Sequence, residues 1–223
     1  MEHPLNLSML FPADIAHTYW HVLFTFIVLL VTVLLGSIAS RQSCEIPGRT
    51  QGAFEFIVNA IYNMGVDLMG EEGKPYIPLI FGIGVYVLIS NWMGLVPGFL
   101  APTSNLNSTL APALVVFFTY QAIGIKRHGA GYIKHFLGPV AALAPLMFLI
   151  EVIGHLARPL SLSMRLFGNV FGEELVIVIL FMLVPFLIPL PMMMLGMFTG
   201  ALQAYVFMML SMIYISGALE EAH

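Results

Sequence analysis

Long apolar stretches separated by short polar segments dominate this chain. The first, from Trp20 to Ser40, can cross a bilayer core of ~30 Å as a helix, since that takes about 20 apolar residues. Further stretches of this kind follow at residues 76–96, 109–125, 139–185 and 192–219. The pattern predicts an all-α polytopic membrane protein, with about five transmembrane helices in a single membrane domain over residues 1–223.

The segment between the first two stretches has a different pattern. Over residues 49–69, apolar side chains recur at spacings of three and four, and polar side chains fall on another face. The apolar positions are Phe54, Ile57, Ile61, Met64 and Leu68, and the polar ones are Glu55, Asn59, Asn63 and Asp67. This periodicity predicts an amphipathic helix lying in the membrane interface.

The stretch at residues 139–185 is longer than a bilayer requires. As one continuous helix it would measure about 70 Å, more than twice the hydrocarbon thickness. We therefore expect it to tilt steeply, to bend at Pro145 or Pro159, or to begin outside the bilayer. The apolar run is interrupted by Pro185, Pro189 and Pro191. The last stretch is then expected to form the second arm of a long tilted hairpin.

The composition agrees with a membrane protein. Hydrophobic residues make up 59% of the chain and charged residues 9%, whereas soluble domains carry about 25% charge. The net charge of −4 gives no indication of nucleic-acid binding. The single cysteine, Cys44, cannot form an intrachain disulfide, and without a His or Cys cluster no metal site or cofactor is expected. No nucleotide-binding loop is present, so no catalytic site for ATP chemistry is expected.

Basic residues indicate the orientation in the membrane. They follow the first and third apolar stretches, as Arg41, Arg49, Lys126, Arg127 and Lys134. Because Lys and Arg favour cytoplasmic loops, we expect the N-terminus and the uncharged 97–108 loop outside and the C-terminus in the cytoplasm. Residues 1–19 contain no Lys or Arg and lack the basic start of a signal peptide. The expected location is a bacterial inner membrane, with the chain surrounded by lipid.

The long stretch contains an arginine, Arg165, in its apolar middle. An arginine at the bilayer centre costs roughly 3 kcal/mol on insertion scales, and its guanidinium cannot deprotonate. The next acidic residues on that helix, Glu173 and Glu174, are about two turns away. The partner of Arg165 is therefore expected to come from another chain, or from Asn169 and Gln203.

At about 100° per residue, the polar residues of the long stretch form one stripe. Its members are Glu151, Arg158, Ser161, Arg165 and Asn169. Glu174 points to the opposite side, about 13.5 Å further along the axis. Polar groups thus fall in two regions, one toward each membrane surface, with Arg165 between them.

The last stretch offers a counterpart to this stripe. Gly196, Gly200 and Ala204 recur every four residues, the small-residue pattern that lets membrane helices approach closely. Gln203 lies beside that seam in an otherwise apolar environment. The pattern predicts close packing of this helix against a neighbour.

Several of these residues also have a purely structural interpretation. Arg158 could extend its charge to a membrane surface, and Gln203 could make an interhelix hydrogen bond without a transport role. Glu173 and Glu174 could lie among lipid headgroups. Arg165 fits such an interpretation least well, because its charge is permanent and its position is central.

These motifs resemble subunit a of the F-type ATP synthase membrane sector. Residues 159–169 read Pro-Leu-Ser-Leu-Ser-Met-Arg-Leu-Phe-Gly-Asn and, with Glu174, resemble the family's essential-arginine helix. Residues 202–207 read Leu-Gln-Ala-Tyr-Val-Phe and resemble its last helix, which continues here through Tyr214. Residues 91–97 and 102–110 resemble its central spans and the loop between them.

The resemblance implies a function. Members of the family act as a stator, in which two offset half-channels lead protons, or alternatively Na⁺, to and from a rotating ring of c subunits. Each ring subunit carries a membrane-embedded carboxyl, and ring rotation couples ion flow to ATP synthesis. The implied partners are the c ring, the b-subunit peripheral stalk and the whole F-type complex, with the ATP chemistry in partner subunits.

The resemblance also implies roles for individual residues. By the family pattern, Arg165 is the essential barrier and the partner of the ring carboxylate. The outer half-channel would contain Glu174, Glu173, Asn169 and Gln203, and the inner one Glu151 and Ser161. Many bacterial relatives have glycine before the Glu174 position and histidine at the Gly196 position. We infer that a polar group has moved between facing helices, so that Glu173 replaces the histidine.

Two other functions are open. A secondary transporter or channel with an arginine in its pathway predicts inverted repeats or broken helices in matching halves, and the sequence contains none that we find. A non-transporting membrane scaffold would leave Arg165, Glu173, Glu174 and Gln203 unexplained.

Overall fold

The computed structural model describes residues 13–41, 49–96, 99–129, 144–183 and 189–219, and within those ranges it contains helices and no strands. The helices are α1 (Ala13–Arg41), α2 (Arg49–Met69), α3 (Ile77–Met93), α4 (Leu106–His128), α5 (Ala144–Leu183) and α6 (Pro189–Leu219). Short 3₁₀ turns at Glu71–Tyr76 and Pro102–Ser104 precede α3 and α4. Five helical segments of these ranges are long and apolar enough to cross a membrane: α1, α3 together with the 3₁₀ turn before it, α4, α5 and α6. The predicted all-α polytopic membrane fold is therefore confirmed.

Several helix bounds differ from the predicted ones. Helix α1 begins at Ala13 and not at Trp20, and α3 ends at Met93 and not at Val96. Helix α4 begins at Leu106, so Asn107 and Ser108 are helical and do not belong to the preceding loop. The Asn105 side chain caps it by accepting a hydrogen bond of 3.0 Å from the Asn107 backbone. The last helix begins at Pro189 and includes Pro191, because proline is tolerated in the first turn, where the amide has no helical partner.

Some predicted features lie outside the described residues. They are the first five residues of the 139–185 stretch, Pro185, Lys134, Cys44, Pro97 and the N-terminal segment before residue 13.

Helix α5 is one continuous helix of 40 residues, about 60 Å long. Pro145 lies in its first turn and does not bend it, since that position needs no amide donor. Pro159 lies inside the helix and is buried. A helix of this length exceeds a bilayer core of ~30 Å, which agrees with the predicted alternatives of a steep tilt or an end outside the bilayer.

Helix α5 has one buried face and one exposed face. Leu162 and Leu166 are at most 1% exposed and belong to the apolar core between the helices. Ser163, on the same side, shares a hydrogen bond of 2.9 Å with Thr109 of α4. Leu160 and Met164, on the other side, are more than half exposed. The exposed face is the surface that lipid or a neighbouring chain would cover.

The predicted small-residue seam on α6 packs closely against neighbouring helices. A Cβ added at Gly200 would lie 3.2 Å from the Asn91 Cβ, so α3 approaches here almost to backbone contact. Asn91 Nδ2 donates to the Gly200 carbonyl at 3.2 Å, and Trp92 Nε1 donates to the Met197 carbonyl at 2.9 Å. Thr103 completes the network by donating to Asn91 Oδ1 at 2.9 Å. The glycines therefore allow α3 to bond directly to the backbone of α6.

Helix α2 packs at its C-terminal end and is exposed at its N-terminal end. Gly65 lies against Ile77 and Met212, and Met69 is buried in the core. Phe54 and Ile57, predicted on the apolar face, are about half exposed. Their exposure on an amphipathic helix outside the set of possible spans agrees with an interfacial location.

Candidate functional site

Arg165 lies near the middle of the Pro145–Leu183 span, on the exposed face of α5. It has no hydrogen bond or ion pair with any residue in the described part of the chain. Ser161 and Gly168 lie one turn before and after it and are also exposed. No neighbouring side chain lies within 4 Å of the position a Cβ on Gly168 would take. The guanidinium is thus presented on an open surface flanked by small residues.

Asn169 and Gln203 meet one turn beyond Arg165. Asn169 Nδ2 donates to Gln203 Oε1 at 2.9 Å, which joins α5 to α6. Gln203 is 4% exposed. Its Nε2 is buried and has no hydrogen-bond partner in the described ranges. A buried amide donor without a partner costs about 1–3 kcal/mol, so this position favours a polar ligand or water.

Glu174 contacts the segment that connects α3 to α4. Its Oε1 accepts a hydrogen bond of 3.1 Å from the Ala101 backbone amide. A Cβ on Gly94 would lie 2.9 Å from the same oxygen, so only glycine leaves room for the carboxylate there. Glu174 is half-buried. The connecting segment therefore fixes one carboxylate about 13.5 Å along the helix axis from Arg165.

Glu173 points to α6. Its Oε2 accepts a hydrogen bond of 3.2 Å from Thr199 Oγ1. Its Oε1 lies against Gly196, where an added Cβ would overlap the carboxylate. The two positions that depart from the family pattern therefore face each other across the helix pair.

A second polar cluster lies on the other side of Arg165, nearer the start of α5. Glu151 Oε1 lies 3.3 Å from His155 Nε2, one turn further along the helix. His155 Nδ1 lies 3.3 Å from both the Tyr120 hydroxyl and Gln121 Nε2 of α4. The Tyr120 hydroxyl also donates to the His155 carbonyl oxygen at 3.4 Å. We call these four residues the inner cluster.

Arg158 and Tyr214 border the inner cluster. The Arg158 guanidinium lies 5.8 Å from the Tyr120 ring centre and 5.5 Å from that of Tyr214 on α6. These are cation–π distances, so in the structure Arg158 is engaged with aromatic rings of two other helices. Ser161 is exposed on the Arg165 face and, among the described residues, makes no hydrogen bond with the inner cluster.

Sequence reasoning missed several contributors to these clusters. The pairing of His155 with Glu151 could have been predicted, because the two residues are four positions apart and are therefore neighbours on a helix. Tyr120, Gln121 and Thr199 carried no local signal, since their roles depend on helices packed from distant parts of the chain. The Ala101 contact comes from a backbone amide, which no residue pattern reveals.

Comparison with known proteins identifies the family of this chain. A family model described as ATP synthase A chain matches residues 22–216. "ATP synthase subunit a 3" of Pelobacter propionicus is 54% identical over 202 residues, covering 91% of this chain and 88% of the relative. ATP synthase subunit a of Trichlorobacter lovleyi is 52% identical over 230 residues and covers both chains fully. The protein of the same name from Geobacter sulfurreducens is 51% identical over 202 residues, with 91% and 88% coverage. Both the family model and these relatives extend over nearly the whole chain, which therefore belongs to the ATP synthase A chain family, the membrane-sector subunit a of ATP synthases.

Proposed function

We propose that this chain is the ion-conducting stator of an ATP synthase membrane sector. It would pass protons, or alternatively Na⁺, through two half-channels to and from a rotating c ring. Further partners would be the b-subunit peripheral stalk and the remaining F-type complex, within a bacterial inner membrane. The N-terminus would lie outside and the C-terminus in the cytoplasm.

The observation that carries this proposal is the exposure of Arg165 at membrane depth. A permanent charge facing lipid there would cost roughly 3 kcal/mol or more. Arg165 has no counter-charge among the described residues of its own chain. A carboxylate on a neighbouring chain would remove that cost, and a ring of membrane-embedded carboxyl groups supplies one at every step. The small residues Ser161 and Gly168 would let ring helices approach closely.

Arg165 is suited to act as a barrier. Its guanidinium keeps its proton throughout the physiological range, so it cannot relay protons along the surface. It stabilises the deprotonated form of a passing carboxylate, because an opposite charge at short range favours the charged state. An ion would then cross only by binding to the ring and travelling around with it.

The two polar regions supply the half-channels. The outer one would use Glu174, Glu173, Asn169 and Gln203, which are joined in the structure to the 99–105 segment and to α6. The inner one would use Glu151 and Ser161, with Glu151 about 21 Å along the axis from Arg165. The distance between the two regions fits separate access from the two membrane surfaces. Each charge moving across 100 mV would release about 2.3 kcal/mol.

Replacement of Arg165 tests the proposal directly. Arg165→Ala should abolish ATP-driven proton pumping in inverted membrane vesicles that contain the assembled complex. The matched control is Met164→Ala, which truncates an adjacent exposed side chain and should leave pumping near the wild-type level. Co-isolation of the ring with both variants would show that assembly is intact. Normal pumping by Arg165→Ala would refute the proposal, and transport by the purified chain alone in liposomes would favour a secondary transporter.

A further inference from the structure

His155 has a buried imidazole side chain. The resemblance to the family assigned no role to this residue. Its side chain is 9% exposed, while the Glu151 side chain beside it is 37% exposed. Both imidazole nitrogens have polar neighbours, from two helices. Imidazole is the side chain whose ordinary pKa, about 6.5, lies near physiological pH. The pair therefore joins a buried titratable group to a carboxylate that reaches the surface of the bundle.

The hydrogen bonds of the neutral imidazole define its tautomer. Gln121 Nε2 is a donor, so the Nδ1 atom that it faces must accept. The proton of the neutral ring is then on Nε2, where it donates toward Glu151 Oε1 at 3.3 Å. The Tyr120 hydroxyl donates meanwhile to the His155 carbonyl oxygen. Each group is satisfied when His155 is uncharged.

The charged imidazolium is satisfied by Tyr120 and Glu151 once the Gln121 amide turns its donor away from Nδ1. A proton added at Nδ1 can be donated to the Tyr120 hydroxyl oxygen at 3.3 Å, while the Tyr120 proton stays on the carbonyl oxygen. The Nε2 proton still faces Glu151, which now forms an ion pair with the ring. His155 can therefore gain and lose one proton without any movement of the ring. Such a site can hold a proton, with rearrangement of the Gln121 amide that faces Nδ1.

We propose, on the basis of the function proposed above, that His155 is the proton-accepting group of the inner half-channel and that Glu151 is its exchange partner with the cytoplasm. Within the described ranges, the other ionisable groups beside the pair are Arg158 on α5, Tyr120 on α4 and Tyr214 on α6. The guanidinium of Arg158 carries a permanent charge. We assign a titration between about pH 5.5 and 8 to the Glu151–His155 pair, because imidazole is the side chain whose ordinary pKa lies in that range.

The test is the pH dependence of proton conduction measured from the cytoplasmic side. In inverted vesicles this side faces the medium, so its pH can be varied from about 5.5 to 8.5. Passive proton conductance is recorded after removal of the soluble catalytic sector, and ATP-driven pumping before it. The wild type should show an inflection in this range. His155→Gln, which keeps a hydrogen-bonding side chain but cannot titrate, should lose the inflection and conduct more slowly.

A double-variant comparison separates a proton-accepting role from a structural one. If the pair acts as a unit, Glu151→Gln with His155→Gln should conduct no worse than the slower single variant. Gln121→Leu removes the donor that favours the neutral ring and should displace the inflection to higher pH without abolishing it. A lower conductance with an unchanged inflection in His155→Gln would overturn the inference. If His155→Gln does not assemble, the pH profile of Gln121→Leu becomes the test. A Gln121→Leu inflection at the same pH as in the wild type would then contradict the inference.

The same vesicles separate this inference from the proposed function. If Arg165→Ala abolishes pumping while His155→Gln keeps the wild-type pH profile, only the role of His155 is wrong. If Arg165→Ala pumps normally, the proposed function itself is wrong.

Discussion

The carboxylate of Glu173 on α5 occupies the space that any side chain at Gly196 on α6 would fill. Thr199, one turn further along α6, holds that carboxylate with a hydrogen bond of 3.2 Å. The two positions therefore share a space with room for one polar side chain, and we predict that either helix can supply it.

This relationship makes the two positions interdependent. Gly196→His alone should fail, because the imidazole would overlap Glu173, and overpacking costs about 1–3 kcal/mol. Glu173→Gly alone should impair transport by removing the polar group. The combined variant should recover part of the activity, since the imidazole then takes the vacated space. ATP-driven proton pumping per assembled complex is the measurement, and a combined variant no better than the worse single variant would count against a shared site.

The second prediction distinguishes the charge of Arg165 from its shape. Arg165→Lys keeps a charge but loses the planar fork that engages a carboxylate through two hydrogen bonds. We expect ATP synthesis to remain lost in Arg165→Lys. Proton leak through vesicles stripped of the catalytic sector should be lower for Lys than for Arg165→Ala, because the residual charge still opposes proton passage. Equal leak in both variants would show that charge at this position does not form the barrier.

The third prediction concerns the open surface around Arg165. Gly168→Leu should leave the chain folded, because no neighbouring side chain lies within 4 Å of the new Cβ position. It should nevertheless reduce coupled transport about tenfold, the effect of roughly 1.4 kcal/mol, by holding the ring away from Arg165. Gly36→Leu on α1 is the matched control, since Gly36 is also exposed with no such neighbour. Equal activity of the two variants would mean that no partner packs at Gly168.

The fourth prediction concerns orientation. Asn107, at the start of α4, and Lys126, near its end, are both exposed. Cysteines introduced at these positions, with Cys44 replaced by serine, should react with an impermeant thiol reagent from opposite sides of the membrane. The Lys126 position should react from the cytoplasmic side, following the clustering of basic residues there. Reaction of both from one side would contradict the crossing of α4.

Much of the fold was predictable because a membrane limits the choices. Every backbone polar group in lipid must be paired within its own element, so long apolar stretches can only be helices. The same regularity allowed the stripe containing Arg165 to be inferred from 3.6 residues per turn. The face-to-face position of Glu173 and Gly196 was instead inferred from the resemblance to the family. The start of α4 could also have been predicted from the sequence, because Asn is a favoured N-capping residue and Asn105 precedes the helix.

The remaining parts of the site depend on tertiary contacts. The binding of Glu174 by the Ala101 amide requires the 99–105 segment to fold back between helices, and no side-chain pattern indicates this. The hydrogen bonds of His155 require α4 to pack against α5 in the register that brings Tyr120 next to His155. Arg158 illustrates the same limit, since an extension to the membrane surface was one possible interpretation, whereas it lies over two aromatic rings.

The bonds from Asn91 and Trp92 to the backbone of α6 have a mechanical consequence. Apolar side chains packed in lipid resist separation but permit slip, because their attraction has little directionality and lipid offers equivalent contacts. Hydrogen bonds lose most of their strength when misaligned, and here two of them grip carbonyls about one turn apart on the same helix. In the proposed rotary cycle the ring would drag α5 and α6 sideways at every step. The hydrogen bonds from α3 would oppose both rotation and axial sliding of α6. A lateral force on α6 would therefore be transmitted through α3 to the rest of the bundle.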